Sequence, residues 1–79
     1  MEKWKGMSQE DTVVVLKENA PLEMDSVAVY AALCRKGQRQ NIRSVQSTLR
    51  RLRSFPELVR WRYDAKVRRY YYRYAEGNL

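Results

Sequence analysis

The sequence predicts an α+β fold: three helices, a short strand after the first of them, and a C-terminal two-stranded hairpin, in the order α-β-α-α-β-β. Two patterns and their punctuation predict it. Apolar residues recur at intervals of three and four in "SVQSTLRRL", where Val45, Leu49 and Leu52 form one stripe of a helix. The period drops to two in "LVRWRY", where Val59, Trp61 and Tyr63 alternate with Leu58, Arg60 and Arg62 as on a half-buried strand. Pro21, Gly37 and Pro56 separate the periodic segments.

Taken in order, residues 1–7, "MEKWKGM", read as a lead-in, and residues 8–74 as one domain. Ser8 is a suitable N-cap for "SQEDTVVVLKEN", with Asp11 three residues on and Glu10 near the positive end of the helix dipole. Val13, Val14 and Leu16 are expected inside. Pro21 disfavours helical backbone at Ala20, so the helix ends near Asn19. "PLEM" leaves room for a turn or one small strand. Asp25 or Ser26 caps the second helix, which carries Val27, Tyr30, Ala31 and Cys34 on one face and Val29 and Leu33 on another, and is expected to be buried on both sides. Arg35 and Lys36 suit its C-terminus, and Gly37 suits the left-handed residue that follows. After "QRQN", Asn41 caps a third helix of about residues 41–55, which Phe55-Pro56 stops. The hairpin occupies about residues 58–74, with its second strand from Val67 to Tyr74 and "DAK" at the turn. Residues 75–79 form a tail.

Seventy-nine residues make one small domain, and an apolar fraction of 44% argues against disorder. Cys34 has no partner for a disulfide and, lying in "VAVYAALC", is expected to be a buried packing thiol. There is no histidine, the commonest general base and metal ligand. Ser44, Ser47 and Ser54 lack an activating partner, and the glycines at 6, 37 and 77 form no phosphate loop. No catalytic residue, metal, cofactor or small-molecule ligand is therefore expected, and an enzyme is not. With no run of 18 apolar residues and no apolar leader, the expectation is a soluble, unexported protein without a membrane partner.

The net charge of +7 is unevenly placed. Residues 1–34 sum to −3, whereas residues 35–74 hold 13 lysines and arginines against Glu57 and Asp64, a net of +11. Such a domain attracts a polyanion on one side. On the third helix, the face opposite Ile42, Val45, Leu49 and Leu52 carries Arg43, Ser44, Ser47, Arg50, Arg51 and Ser54, with Gln46 and Arg53 on a shoulder. A face selected only for solubility mixes signs, yet no acid occurs between Arg35 and Pro56. The arginines repel one another unless an anion arrives.

The order of elements, with "SVQSTLRRL" followed by "ELVRWRY…RRYYYRY", resembles the winged helix-turn-helix superfamily of small bacterial, archaeal and viral transcription regulators. The resemblance covers roughly residues 8–74, although the loop after Gly37 is longer than the tight turn of the simplest members. It implies a double-stranded DNA-binding protein of the cytoplasm, at the nucleoid or in a virus's host cell. The third helix would enter the major groove through Arg43, Ser44, Gln46, Ser47, Arg50, Arg51 and Ser54. The hairpin would be the wing, lying on backbone or minor groove through Arg60, Arg62, Lys66, Arg68 and Arg69, with Arg39 as a further backbone contact. A homodimer stays open, as do two alternatives: an architectural protein without sequence preference, and a module docking on an acidic protein partner. Trp61 and the tyrosines at 70, 71, 72 and 74 could stack on unpaired bases, but core packing is the expected role of most. Alternation requires at least one of Tyr70, Tyr71 and Tyr72 to point outward.

Overall fold

A computed structural model describes residues 3–38 and 41–75 of the chain, with side chains from residue 9 onward. It contains α1 (Lys3–Glu18), α2 (Ser26–Arg35), α3 (Ile42–Leu52), β1 (Val59–Asp64) and β2 (Arg69–Tyr74), an α+β arrangement of three helices and a two-stranded antiparallel sheet.

α1 begins at Lys3, so Ser8 lies inside the helix rather than at its start. Nothing upstream forces a stop: no proline precedes Ser8, and Gly6 costs a helix only about 1 kcal/mol. The inward stripe is Thr12, Val15 and Leu16, all fully buried, while Val14 is 41% exposed and Val13 half-buried. The expected phase was thus wrong by one residue at Val14. Three consecutive valines satisfy several phases, and the i, i+3, i+4 spacing of Thr12, Val15 and Leu16 decides. Beyond Glu18, the Asn19 side-chain amide donates to the Val15 carbonyl at 2.8 Å.

"PLEM" contributes a single bridge pair. The Met24 N–H donates to the Tyr72 carbonyl at 2.8 Å and the Tyr72 N–H to the Met24 carbonyl at 2.9 Å, which lays residue 24 antiparallel to β2. Asp25 then caps α2, its Oδ1 accepting the Ala28 N–H at 2.9 Å. Only one side of α2 is covered, by burial of Val29, Ala32 and Leu33. Val27, Ala31 and Cys34 are exposed, so the expected second buried face and the buried Cys34 thiol are both corrected. Three helices and one hairpin have too little surface to cover α2 twice. Gly37, at φ +86°, ends the helix as expected, with the Gln38 N–H donating to the Leu33 carbonyl at 2.9 Å.

Asn41 caps α3 by accepting the Ser44 N–H at 2.9 Å. Val45, Leu49 and Leu52 are fully buried, Thr48 is 6% exposed and Ile42 is half-buried. Regular helix stops at Leu52 rather than near residue 55. The next three N–H groups, of Arg53, Ser54 and Phe55, bond three residues back and tighten the chain before Pro56.

In the hairpin Val59 pairs with Tyr74, Trp61 with Tyr72, Tyr63 with Tyr70 and Asp64 with Arg69. Its turn is the four residues 65–68, so β2 starts two residues later than expected. Without glycine, Arg68 takes the left-handed position at φ 57°, and Asp64 Oδ1 accepts the Lys66 N–H at 3.0 Å. The core joins the inner faces of the helices to Val59 and Tyr72 at the hairpin base. Each fully buried leucine there contributes about 1.5–3 kcal/mol relative to exposure. No helix among the described residues is long and apolar enough to cross a membrane.

Candidate nucleic-acid interface

Because Val45, Leu49 and Leu52 are pulled inward, helical pitch turns Arg43, Ser44, Gln46, Ser47, Arg50 and Arg51 outward, and all six are exposed. Ser54, just past the helix, is exposed as well. Among the described residues no carboxylate pairs with Arg43, Arg50 or Arg51. The face is positive, flanked by short hydroxyl side chains, and uncompensated from within.

The basic residues of the hairpin divide into two sets. Arg62 grips Glu23, with Nη2 at 2.7 Å and Nε at 2.9 Å from the carboxylate, and also lies 3.6 Å from Asp64. The hydrogen bonds and charge of Arg62 hold the Glu23 carboxyl below the usual carboxylate range and raise the guanidinium in turn. Arg69 pairs with Asp25 at 2.5 Å. Burial pushes the Asp25 carboxyl up, but the Ala28 N–H and Arg69 more than offset it, and the net shift is downward. Arg60, Lys66 and Arg68 are exposed and have no carboxylate partner among the described residues. Arg39 lies outside the described residues.

Two of the expected sets meet. Gln46 and Arg50 of α3 and Arg68 and Arg69 of the hairpin line one cleft of about 420 Å³, together with Asp25, Ser26 and Val27 at the start of α2. Arg60 and Arg62 are not part of it. Strand alternation places them on the ribbon face opposite Trp61, Tyr63, Tyr70 and Tyr72, beside Glu23 and Arg73.

Arg53 lines the same cleft and joins α3 to the hairpin, a role the sequence did not reveal. Its guanidinium lies 3.9 Å from the Tyr70 ring centroid, 5.1 Å from Trp61 and 5.9 Å from Tyr72, and donates to the Tyr72 hydroxyl at 3.1 and 3.3 Å. Helical spacing places Arg53 on the boundary between core and solvent. Only the docking of the hairpin sets the rings over it.

The rings depart from the expectation that most of them are core. Tyr72 alone is buried, at 3% exposure, with Tyr71 and Tyr74 half-buried. Trp61, Tyr63 and Tyr70 are 46%, 48% and 37% exposed. Among the described residues the buried core takes only Val59 and Tyr72 from the two strands, and Arg53 lies against the rings nearer the tip.

The fold and this surface together define an α+β domain with an arginine-rich helix and an arginine-rich hairpin sharing one cleft. Comparison with protein-family models, with curated proteins and with solved structures returns no match.

Proposed function

We propose that the protein is a winged helix-turn-helix DNA-binding protein, a small sequence-specific transcription regulator of the cytoplasm that places α3 in the major groove and the hairpin, as its wing, along the backbone or minor groove. One observation carries this: the exposed, acid-free face of α3 borders, through Gln46 and Arg50, the cleft that Arg68 and Arg69 of the hairpin also line. A major groove about 12 Å wide admits a helix, and Ser44 and Ser47 are short enough to let it approach closely. Arg43, in the first turn of α3, is placed for the base edge, where arginine reads guanine bidentately. Arg50, Arg51, Lys66 and Arg68 are placed to neutralise phosphate.

The test is selection of bound sequences from a random duplex pool, followed by footprinting, which separates one half-site from the two of a homodimer. Affinity for the selected site is expected to exceed non-specific affinity by about 10³ or more at physiological salt. Its log–log salt slope is expected at roughly −4 to −7, from about −0.9 per phosphate. Enrichment of no sequence with the salt slope intact would establish the architectural alternative. A slope shallower than about −2 would remove the arginines from DNA and favour a protein-docking module, for which Leu22 and Val27, 63% and 55% exposed, offer apolar anchors.

A further inference from the structure

Three large rings stand in water where the core does not need them. The buried cluster is complete with Val59 and Tyr72 from the hairpin, yet Trp61, Tyr63 and Tyr70 continue the same face toward the tip, each more than a third exposed. Cross-strand pairing explains part of this, since Tyr63 and Tyr70 sit opposite each other with ring centroids 4.7 Å apart. It leaves Trp61 unexplained, because the cross-strand partner of Trp61 is the buried Tyr72 and nearly half of the indole stays in solvent. Contacts with Arg53 and Tyr70 occupy part of the Trp61 ring and leave the rest open to solvent.

The rings are also held in place. Trp61 and Tyr63 flank Tyr70 at 5.7 and 4.7 Å, tilted 44° and 52°, and the Arg53 guanidinium lies 3.9 Å from the Tyr70 ring centroid. Little side-chain freedom is left to lose when a ligand arrives, and preorganisation of this kind favours binding. Tyr70 lines a cleft with Arg50, Arg53, Arg68 and Arg69, while Trp61 borders a second one with Arg60, Arg73 and the paired Arg62 and Glu23. The one acid of the first cleft, Asp25, is already paired with Arg69. An occupant that matches the surface is therefore flat, apolar and joined to negative charge.

We infer that Trp61, Tyr63 and Tyr70 form a stacking platform for unpaired nucleobases, whose phosphates are met by Arg50 and Arg68. This rests on the DNA-binding function proposed above and narrows its substrate to duplex DNA carrying a few unpaired nucleotides. In intact B-form duplex the base faces are stacked on one another and closed to side chains. In a frayed end, overhang or bubble they are open. Rings accept any base, because every base has a π-face, so the platform adds affinity without adding sequence preference. It lies beside the exposed face of α3, which allows one protein to hold duplex with the helix and the adjacent single strand with the hairpin.

The experiment compares full-length protein on one 20-base-pair duplex, blunt or with a five-nucleotide overhang at either end, by fluorescence anisotropy. One overhang polarity is expected to tighten binding roughly 5- to 150-fold, as one stacked base supplies. Trp61→Leu and Tyr63→Leu, which keep apolar volume but remove the plane, are expected to abolish that gain and leave blunt-duplex affinity within about twofold, because neither ring belongs to the core. Should one variant not fold by circular dichroism, the other carries the comparison. Equal affinity for blunt and overhung duplex, or equal loss on both in the variants, overturns the platform while leaving duplex binding intact. Binding of neither DNA, with binding of vesicles of anionic lipid instead, overturns the platform and the DNA-binding proposal together.

Discussion

Arg53 is the side chain whose removal tests most directly how the hairpin is fixed to α3. The Arg53→Ala variant loses a guanidinium lying against Tyr70 and near Trp61, worth about 0.5–2 kcal/mol between an exposed and a desolvated site. It also loses a charged donor to the Tyr72 hydroxyl, a class of bond worth about 1.5–3 kcal/mol, and leaves that oxygen on a ring only 3% exposed. The contacts share one group, so their energies do not add, and the expected loss is about 2 kcal/mol. For a domain of this size that lowers Tm by about 8–16 °C. Urea titration followed by circular dichroism measures it at 25 °C. Tyr72→Phe, which keeps the ring and removes the hydroxyl, completes a double-mutant cycle with an expected coupling of about 1 kcal/mol. Arg53→Lys keeps the charge but loses the planar fork, and falls between parent and alanine. If Arg53→Ala lies within about 0.5 kcal/mol of the parent, or the cycle is additive within about 0.3 kcal/mol, the clamp is not formed in solution. Burial of Val59 and Tyr72 alone would then set the hairpin.

Arg43→Ala is expected to cost about 1–3 kcal/mol on the selected site and less on random DNA in a competition assay, and equal losses would make Arg43 a phosphate contact. Lys66→Ala combined with Arg68→Gly, where glycine suits the φ of 57°, is expected to keep the fold, weaken all sequences alike and flatten the salt slope by about two units. Parental binding by that double variant would place the turn away from DNA. The carboxyls of Glu23 and Asp25 lie below their ordinary range in the folded chain, so they stabilise it at neutral pH, and that contribution is lost as pH falls through about 4 and below. Glu23→Gln with Asp25→Asn, the latter keeping the helix cap, is expected to flatten the acid limb of a stability–pH profile, and an unchanged limb would show that the pairs with Arg62 and Arg69 do not form.

How much was legible depended on how many arrangements each stretch of sequence permits. In α3 the apolar residues are few and arginines fill the spaces between them, so Val45, Leu49 and Leu52 permit one phase and the exposed face follows. In α1 three consecutive valines permit several, and the start at Ser8 failed because a residue that caps well does not end a helix that continues past it. α2 is apolar on most sides, and which side is buried depends on how many neighbours the domain can supply. The alternation in β1 was plain, but how far along the ribbon it is covered depends on the reach of the helices beneath, a tertiary quantity. Arg53 and the ion pairs at Arg62 and Arg69 were not legible for the same reason, since their partners lie 19, 39 and 44 residues away along the chain.

The charge asymmetry of the sequence takes a sharper form in the fold. Residues 23–25 carry two acids around Met24, and the bridge of Met24 to Tyr72 sets that tripeptide against β2, within reach of Arg62 and Arg69. A third acid, Glu18, meets Lys36 at 3.0 Å. The acidic segment therefore does more than face away from the basic one. It pairs, within the fold, with Arg62 and Arg69 of the hairpin and with Lys36 at the end of α2. The cations on α3, with Arg60 on the ribbon and Lys66 and Arg68 at the turn, stay uncompensated. An exposed pair contributes little to stability, about 0–1 kcal/mol, so stability alone does not explain which arginines are paired. The proposed DNA binding would, because each acid placed on α3 would cancel one phosphate contact, whereas the same acid at residue 23 or 25 would cancel none of those at the helix. Moving an acid onto the helix, as in Ser47→Glu, is expected to leave folding intact, since Ser47 is exposed, and to weaken DNA binding more than the loss of its hydroxyl in Ser47→Ala. Equal binding by the two variants would mean that no anion approaches this face.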